Sequence, residues 1–421
     1  MVMLSWAMNG LAAGAALFAV AGLGQAVAGT VAVWRFLARP DVLPADSFPA
    51  VTVLKPLCGD EPLLEKALAS LCVQDYPHYQ IVFGVQDEAD LALAVVARLQ
   101  SRFPETDIAV VVDSTPHGVN RKIANLINMF PAARHDVLVI ADSDVHVAPD
   151  YLSRLVDTLD IPATGLVTTL YTGLPANRSL AASLGATGIT HGFLPGALMA
   201  RDLGRQDCLG ATMALRRATL GQIGGLHALA DHLADDHVLG KRVQALGLAV
   251  RLAPTIAATT VPEASVADLF HHELRWSRTV LSLVPVAFAL SSIQFPLFWA
   301  VLAFALSGGS KWAALLFLAA WGVRAATSRT VDRLLGLAKS GLASAAPIWL
   351  LPLRDLMSVV GILASYASDR VKWRGQTLST GRGALPVSAS TPAPAYSPAA
   401  GYADDTYSQA GYAPPRKVSA S

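Results

Sequence analysis

Short apolar runs alternate with helical patterns from about residue 50 to Trp276. The β-branched and aliphatic runs predict strands at Val51–Leu54, Ile81–Val85, Ile108–Val112, Val137–Ile140, Gly165–Tyr171 and Gly210–Leu215. Apolar residues at helical spacing predict helices at Leu63–Leu71, Leu91–Phe103, Asn120–Met129, Ala234–Leu246 and Val266–Trp276. Because strands that alternate with helices at this spacing form βαβ units, we expect an α/β fold with a Rossmann-like, mostly parallel sheet.

A long apolar segment precedes this region. Leu11–Leu37 carries no charge before Arg35 and is long enough to cross a hydrocarbon core of about 30 Å. Its positive charges follow the apolar stretch, which favours a retained membrane anchor over a cleaved signal peptide. By the positive-inside rule, the chain from residue 40 onward then lies in the cytoplasm.

Further apolar segments follow the α/β region. Val280–Leu306 and Trp312–Ala326 predict a transmembrane hairpin, and basic residues after it return the chain to the cytoplasm. The segment Ala343–Tyr366 is also long enough to span, but it holds two prolines and the pair Arg354-Asp355. Its cationic flanks on both sides favour a re-entrant or interfacial hairpin over a simple span.

These patterns predict the domain organisation. Residues 1–40 form an N-terminal transmembrane anchor, 48–276 the α/β domain, and 279–375 a C-terminal transmembrane and re-entrant or interfacial region. Residues 376–421 lack the aliphatic side chains that a core needs, so they predict a disordered tail.

Composition supports a membrane location. Hydrophobic residues make up 53% of the 421-residue chain and charged residues only 15%, whereas soluble domains are nearer 25% charged. The net charge of +1 argues against nucleic acid as the main partner. The three cysteines, Cys58, Cys72 and Cys208, show no CxxC spacing, which argues against a zinc site or a disulfide framework.

The sequence Asp142-Ser143-Asp144 follows the predicted strand Val137–Ile140. Side chains just past the carboxyl end of such a strand project into the crevice where open α/β sheets bind ligands. Paired carboxylates there suit Mg²⁺ or Mn²⁺ carrying a diphosphate. The alternative is a solvated turn that happens to be acidic.

Other polar features stand near predicted strand ends or helix starts. Asp87 follows the strand Ile81–Val85, and Asp235-Asp236 open the helix Ala234–Leu246. His272-x-x-Arg275-Trp276 lies next to the predicted transmembrane hairpin. Each also has a purely structural explanation. Asp87 would be an ordinary loop acid, Asp235-Asp236 would complement the helix dipole, and Arg275-Trp276 would anchor the chain at the membrane interface. The joint pattern is more specific than any of its parts.

In that joint pattern the chain resembles the ceramide glucosyltransferase-like family of GT-A glycosyltransferases, which includes bacterial hopanoid-associated members. That family carries the order D, D, D, (Q/R)xxRW, matched here by Asp87, Asp142, Asp236 and the segment His272–Trp276. Also matching are LKPL at Leu54–Leu57, DYP at Asp75–Pro77, KxxNL at Lys122–Leu126 and VKWR-G at Val371–Gly375. The similarity runs from about residue 50 to 375. His272 departs from the family pattern, because it replaces Gln or Arg.

The resemblance implies an activity and roles for the matching residues. The fold would be GT-A, and the reaction would move glucose or N-acetylglucosamine from a UDP-sugar to a lipid hydroxyl, such as ceramide or a hopanoid polyol, with inversion. Asp236 would be the catalytic base and Mg²⁺ or Mn²⁺ would bind at Asp142 and Asp144. The nucleotide-sugar site would comprise Lys55, Asp87, Lys122 and Asp142, while Arg275, Trp276 and His272 would complete the catalytic set.

The same resemblance implies a multi-pass protein of the bacterial inner membrane whose catalytic domain faces the cytoplasm. Three alternatives stay open. A processive polysaccharide synthase uses similar motifs but needs more spanning helices, and a polyprenyl-phosphate sugar transferase would use a phosphate-bearing acceptor. A non-catalytic lipid-binding protein on a transferase fold would be expected to have lost the acids that are present here.

Overall fold

The structure is a computed structural model that describes residues 2–39, 48–336, 346–373 and 376–379. The strands are β1 (Val51–Pro56), β2 (Tyr79–Val85), β3 (Asp107–Val112), β4 (Val137–Ala141), β5 (Val145–His146), β6 (Thr164–Pro175), β7 (Thr212–Arg216), β8 (Ala249–Val261), β9 (Arg370–Trp373) and β10 (Gln376–Ser379).

Helices cover both faces of the sheet and form the flanking apolar segments. They are α1 (Val2–Leu37), α2 (Leu64–Leu71), α3 (Ala92–Arg102), α4 (Arg121–Met129), α5 (Tyr151–Asp160), α6 (Leu180–Gly188), α7 (Leu194–Asp202), α8 (Arg217–Gln222), α9 (Asp235–Ala245), α10 (Val266–Leu283), α11 (Pro285–Leu290), α12 (Pro296–Leu306), α13 (Lys311–Leu334) and α14 (Leu351–Ser365). A π-helical segment, Ile189–Phe193, joins α6 to α7.

The main sheet has the strand order β3-β2-β1-β4-β7-β6-β8-β5. The first four strands are parallel, with Leu54 of β1 paired to Val82 on one side and to Ile140 on the other. Strand β7 is antiparallel to β4 and β6, whereas β6 and β8 are parallel. The expected α/β fold with a mostly parallel sheet and flanking apolar helices is confirmed.

Both faces of the central strands are buried, which explains their unbroken apolar runs. On β4, Val137 and Val139 belong to the core on one face, whereas Leu138 and Ile140 belong to the core on the other face. Alternate residues of a strand point to opposite faces, and every residue of β4 is buried on one face or the other. Asp142 is the first residue after the strand that is partly exposed.

Some elements were not predicted from the sequence. Strand β8 is 13 residues long and pairs with β6 along most of its length. Helices α6 and α7 were also missed, although Leu184, Leu194 and Leu198 on them are buried. These elements extend the predicted sheet toward the apolar helices.

The predicted hairpin of Val280–Leu306 and Trp312–Ala326 differs from the structure. The first segment is divided among α10, α11 and α12, and Pro285–Gln294 meets Pro296–Leu306 at a 72° bend. Pro285 and Pro296 each stand in the first turn of a new helix, where proline is tolerated. The second segment lies within α13, which continues to Leu334.

Two helices of the described chain are long and apolar enough to cross a membrane, Trp6–Leu37 and Ile348–Ser365. The bent pair Pro285–Gln294 and Pro296–Leu306 adds a third span only if the two helices cross the membrane together. Against the predicted re-entrant hairpin, the described part of 343–366 contains one continuous helix that does not turn back. Pro352 does not break it, because it lies in the first turn.

The C-terminal boundary also differs from the prediction. Gln376–Ser379 pairs with Arg370–Trp373 in an antiparallel hairpin, so the first residues assigned to the tail form a strand. The rest of the predicted tail, 380–421, and the linker at 40–47 lie outside the described residues.

Candidate active site

The loop between β4 and β5 carries Asp142 and Asp144 at the carboxyl end of β4. Main-chain hydrogen bonds fix its path, since Asp142 N donates to the Ala211 carbonyl at 3.3 Å and Thr260 N donates to the Asp144 carbonyl at 3.1 Å. The Thr259 hydroxyl donates to Asp144 Oδ2. The residue just before β7 and the last part of β8 therefore hold the acidic pair in place.

Lys55 lies beneath this loop rather than facing the open crevice. Its side chain is fully buried on β1, and its Nζ donates to the Val145 carbonyl at 3.1 Å. Burial lowers the pKa of Lys55 to about 8, although Asp144, Asp142 and Glu61 act in the opposite direction. In the structure Lys55 supports the acidic loop through its bond to Val145, and its role in binding the nucleotide sugar stays a prediction.

Lys122 connects the acidic loop to the start of α9. Its Nζ lies 2.6 Å from Asp142 Oδ1 and 3.5 Å from Asp235 Oδ2. Burial would lower the pKa of Lys122, but Asp142 and Asp235 outweigh it and the net shift is upward. Lys122 is therefore held as a cation among carboxylates.

Asn120 fixes the position of Lys122. Its side-chain oxygen caps α4 by accepting from the backbone N–H groups of Lys122 and Ile123 at 3.0 and 3.2 Å. Its amide nitrogen donates to the His232 carbonyl at 2.8 Å and to Asp235 Oδ1 at 3.3 Å. One side chain thus joins the starts of α4 and α9.

Asp236 lies in the first turn of α9. Its Oδ1 accepts from the backbone N–H of His237 at 2.7 Å, and a Cβ added at Gly210 would lie 2.9 Å from its Oδ2. Burial raises the pKa of Asp236 to about 7, assisted by Asp235 and opposed by Lys122. A carboxylate that titrates near neutral pH is suited to general-base catalysis.

Tyr171 on β6 is within reach of the charges of the predicted aspartates and was not predicted from the sequence. Burial raises the pKa of its hydroxyl, and Asp236, Asp142 and Asp144 all add to that effect through their charges. Its ring stacks on Phe193 of the π-helical segment with centroids 4.7 Å apart. The charges of all three aspartates therefore converge on one side chain.

Glu61 is a second residue that the sequence analysis missed. Ser143 Oγ donates to Glu61 Oε2 at 2.5 Å, so a glutamate before α2 restrains the middle residue of the acidic loop. The negative charge of Glu61 also contributes to the raised pKa of Asp144, which is about 6 and results first from burial and then from Asp142. No local pattern marked Glu61, because its partner is 82 positions away.

Asp87 lies at the same sheet edge but in an exposed turn. It follows β2, which is separated from β4 only by β1, and all three strands run parallel. Its Oδ1 accepts from the backbone N–H of Ala89 at 2.9 Å. The structure therefore places Asp87 on the rim of the crevice, apart from the Lys122 ion pairs.

The residues His272, Arg275 and Trp276 lie on α10. His272 Nδ1 contacts Glu263 Oε1, and the His272 and Trp276 rings pack with centroids 4.4 Å apart. Trp276 is 39% exposed and Arg275 is half-buried. In the described chain, neither the His272 nor the Trp276 side chain hydrogen-bonds to the aspartates.

Asp142 and Asp144 carry the donor atoms that a divalent cation needs. Their oxygens are the hard donors that Mg²⁺ and Mn²⁺ prefer. Within the described residues, no group of three or more His, Cys, Asp or Glu side chains could hold a metal ion. Two carboxylates fit a cation that is completed by substrate phosphates and water, which is the usual mode for Mg²⁺ in such enzymes.

Comparisons with known proteins give matches over much of the chain. The pattern that defines Glycosyl transferase family 21 matches residues 14–385. Ceramide glucosyltransferase 1 from Caenorhabditis elegans is 23% identical over 255 residues, covering 60% of this chain and 54% of that protein. Ceramide glucosyltransferase from Komagataella phaffii is 34% identical over 114 residues, covering 26% of this chain and 22% of that protein. The chain spans about half the length, or less, of these curated relatives.

Solved structures are more distant. The mannosyltransferase PcManGT from Pyrobaculum calidifontis, in complex with GDP-Man and Mn²⁺, has a TM-score of 0.46 and 20% identity, covering 85% of this chain and 99% of that chain. Glucosyl-3-phosphoglycerate synthase from Mycobacterium tuberculosis, in complex with Mn²⁺, UDP and glucosyl-3-phosphoglycerate, has a TM-score of 0.35 and 16% identity, covering 56% and 79%. At this distance neither identifies a substrate for the present chain.

Proposed function

Because this chain belongs to glycosyl transferase family 21, we propose that it is a membrane-bound, inverting glycosyltransferase. It moves glucose or N-acetylglucosamine from a UDP-sugar to a lipid hydroxyl, with ceramide or a hopanoid polyol as the acceptor. The supporting observation is the ion pairing of Lys122, which bridges Asp142 of the acidic loop to Asp235, next to Asp236, at the start of α9. The names of the matching relatives support the lipid acceptor.

At the donor end, Lys122 and the acidic loop bind the diphosphate. Asp142 and Asp144 hold Mg²⁺ or Mn²⁺, which when bound acts as a Lewis acid on the UDP leaving group. Lys122, whose pKa is raised by Asp142 and Asp235 against the effect of burial, keeps a fixed positive charge beside the phosphates as they gain negative charge. Arg275 adds a second cation from α10, and Asp87 contacts the nucleoside at the rim.

At the acceptor end, Asp236 removes the proton from the attacking hydroxyl. As the oxygen bonds to the anomeric carbon, the bond to UDP breaks, and the proton passes to a carboxylate oxygen of Asp236. A single displacement of this kind converts an α-linked donor into a β-glycoside. Trp276, which is partly exposed beside His272, shapes the acceptor site.

The apolar surface of the flanking helices supports a location of this crevice at a bilayer. Large side chains on the flanking helices are exposed, among them Leu17 at 72%, Leu315 at 66% and Leu363 at 64%. Exposed apolar surface of this extent is typical of contact with lipid. We place the catalytic domain on the cytoplasmic side of a bacterial inner membrane in a multi-pass topology, where UDP-sugars are available and a lipid hydroxyl approaches from the side.

The first prediction concerns the base. Asp236→Asn removes the proton acceptor but keeps the shape, so we expect transfer to fall about 10²- to 10⁴-fold while UDP-sugar affinity changes little. Asp160→Asn is the matched control, because Asp160 is exposed and pairs with Arg216 away from the site. Transfer by each purified variant is measured with a panel of UDP-sugars and lipid acceptors. Near-normal turnover by Asp236→Asn would show that another group is the base.

The lipid substrate is identified separately. Lipids from cells with and without the protein are compared by mass spectrometry, and a lipid carrying one added hexose or N-acetylhexosamine is expected only when the protein is present. A polymeric product would instead indicate a processive synthase, and a phosphate-linked product a polyprenyl-phosphate transferase. Absence of both transfer and UDP-sugar hydrolysis would favour the non-catalytic alternative.

A further inference from the structure

Helix α14 carries a buried arginine that reaches the motif-bearing helix α10. Arg354 is 8% exposed, and its guanidinium forms two parallel hydrogen bonds with Glu273, from Nη1 to Oε1 at 2.6 Å and from Nη2 to Oε2 at 2.8 Å. A bidentate arginine–carboxylate pair constrains both the distance and the orientation of its partners. Glu273 directly follows His272 and precedes Arg275-Trp276.

The same guanidinium also contacts α6. Arg354 Nη1 donates to the Leu184 carbonyl at 3.4 Å, and a Cβ added at Gly188 would lie 2.9 Å from the guanidinium carbon. The absence of a side chain at Gly188 thus makes room for the arginine. Ser358, one turn along α14, accepts from Arg354 Nη2 at 2.9 Å and holds the side chain extended.

The next residue of α14, Asp355, contacts different helices from those that Arg354 contacts. Asp355 is fully buried, accepts from the backbone N–H of Leu297 at 3.0 Å, and lies 3.5 Å from Arg324 Nη2. Consecutive helical residues point about 100° apart, so the two charges bind different neighbours. Asp355 attaches α14 to α12 and α13, whereas Arg354 attaches it to α6 and α10.

Charges in an apolar helix are costly unless they are paired with good geometry. The Arg354–Glu273 pair meets that condition, and its carboxylate comes from within the His272–Trp276 segment. We propose that Arg354 is a positioning residue that holds this segment of α10 in register with the catalytic crevice. The role in the reaction rests on the proposed function, while the positioning itself does not.

Transfer rates provide the first test. Arg354→Ala and Glu273→Gln should each lower kcat on the order of 100-fold, because displacement of reacting groups by about 1 Å costs that much. Affinity for UDP should change far less, since the Asp142 loop is untouched. Arg354→Lys should recover only part of the rate, because an ammonium cannot form the bidentate pair. The double variant should be no worse than the poorer single variant.

Charge reversal separates positioning from a general loss of packing. Combining Arg354→Glu with Glu273→Arg restores an ion pair, and the Ser358 hydroxyl, which accepts from Arg354 in the wild type, can donate to the new carboxylate. We expect the pair of reversals to be about tenfold more active than either reversal alone. Failure of the combination to exceed the single reversals, while both remain folded, would overturn the positioning role.

Hydrogen exchange gives a readout that does not depend on sugar transfer. In Arg354→Ala, amide exchange across 270–277 should rise about tenfold or more. Asp355→Asn is the matched control on the same helix, and it should loosen the start of α12 while leaving 270–277 close to wild type. If Asp355→Asn affects 270–277 as much as Arg354→Ala does, the pair has no specific role. If exchange behaves as expected but the wild type transfers no sugar, the positioning holds and the proposed function fails.

Discussion

At the scale of single residues, the surroundings of Asp236 make its protonation sensitive to pH near neutrality. Burial and the neighbouring Asp235 raise the pKa of Asp236 to about 7, against the effect of Lys122. A general base works only when deprotonated, so the active fraction falls about tenfold for each pH unit below that pKa. The acid limb of the activity profile should therefore report this carboxyl.

The second prediction is that kcat/KM rises with pH and levels off above about 7. The measurement is initial transfer rate against pH at low UDP-sugar concentration, with UDP binding followed in parallel so that pH effects on binding are separated. In Asp236→Asn the residual rate should lose this rising limb. A profile that is flat or falls across the neutral range would contradict the assignment.

The third prediction concerns the acidic loop. A chelator should abolish transfer, and Mg²⁺ or Mn²⁺ should restore it, because Asp142 and Asp144 supply hard oxygen ligands. Asp144→Asn should weaken Mn²⁺ binding about tenfold or more, measured directly by calorimetry in the presence of UDP. Asp150→Asn is the control, since Asp150 pairs with Arg154 outside the loop. Unchanged activity in chelator would remove the metal from the proposal.

Residue positions that depend on local pattern could be predicted, and those that depend on distant contacts could not. Asp142 and Asp144 follow a buried strand, and Asp236 opens a helix, so both features are visible in the sequence. Tyr171 looks like an ordinary strand aromatic until the fold brings its hydroxyl within reach of three carboxylate charges. Lys55 matches a family motif, but only the fold shows that it points into the protein.

At the scale of elements, strands with unbroken aliphatic runs were predicted well and strands rich in small residues were not. Strand β8 contains Pro254 and an Ala-Ala-Thr-Thr stretch, and its register against β6 shifts between Thr168 and Leu170. Proline and alanine are both depleted in strands, so this element gave little signal. Helix α6 is mostly Ala, Gly, Ser and Thr and shows no clear apolar face.

Proline position explains the errors in the apolar segments. Pro285 and Pro296 begin new helices and so divide Val280–Leu306, whereas Pro352 lies in the first turn of α14 and leaves it intact. Proline breaks a helix in its interior but is tolerated in its first turn. Sequence alone does not show where each helix starts. The division of Val280–Leu306 at its prolines was therefore not predicted, whereas a break in Ala343–Tyr366 was predicted and is not found in its described part.

The fourth prediction concerns the close approach of the segment before β7 to the first turn of α9. A methyl group at Gly210 would lie 2.9 Å from Asp236 Oδ2, so Gly210→Ala should displace that carboxylate. Because displacement of a reacting group by a fraction of an ångström is costly, we expect transfer to fall about tenfold with little change in the unfolding midpoint. Gly221→Ala is the control, since no atom lies within 4 Å of its added Cβ. Equal activity of the two variants would contradict the close packing.

At the scale of the whole molecule, α1 is an integral part of the packed structure rather than a tether. Its C-terminal part packs Val33 and Phe36 against Leu194 and Leu198 of α7, on the catalytic domain. Further back, Ala19 packs with Leu297 of α12 and other residues of the flanking helices. One helix therefore contacts both the predicted membrane region and the α/β region, so its packing should affect the stability of both.

The fifth prediction tests this through two glycines of α1 that differ in their surroundings. A Cβ at Gly22 would collide with the Ile293 carbonyl and approach Pro296, whereas a Cβ at Gly24 meets nothing within 4 Å. Gly22→Leu should cost about 1–3 kcal/mol through overpacking against backbone that cannot move freely. Gly24→Leu should be neutral or slightly stabilising, because leucine favours the helix over glycine by about 1 kcal/mol. Thermal unfolding of the detergent-solubilised protein measures both, and the catalytic domain should unfold earlier only in Gly22→Leu. If both variants keep the wild-type midpoint for the catalytic domain, the packing of α1 against α12 contributes little to the folding of that domain.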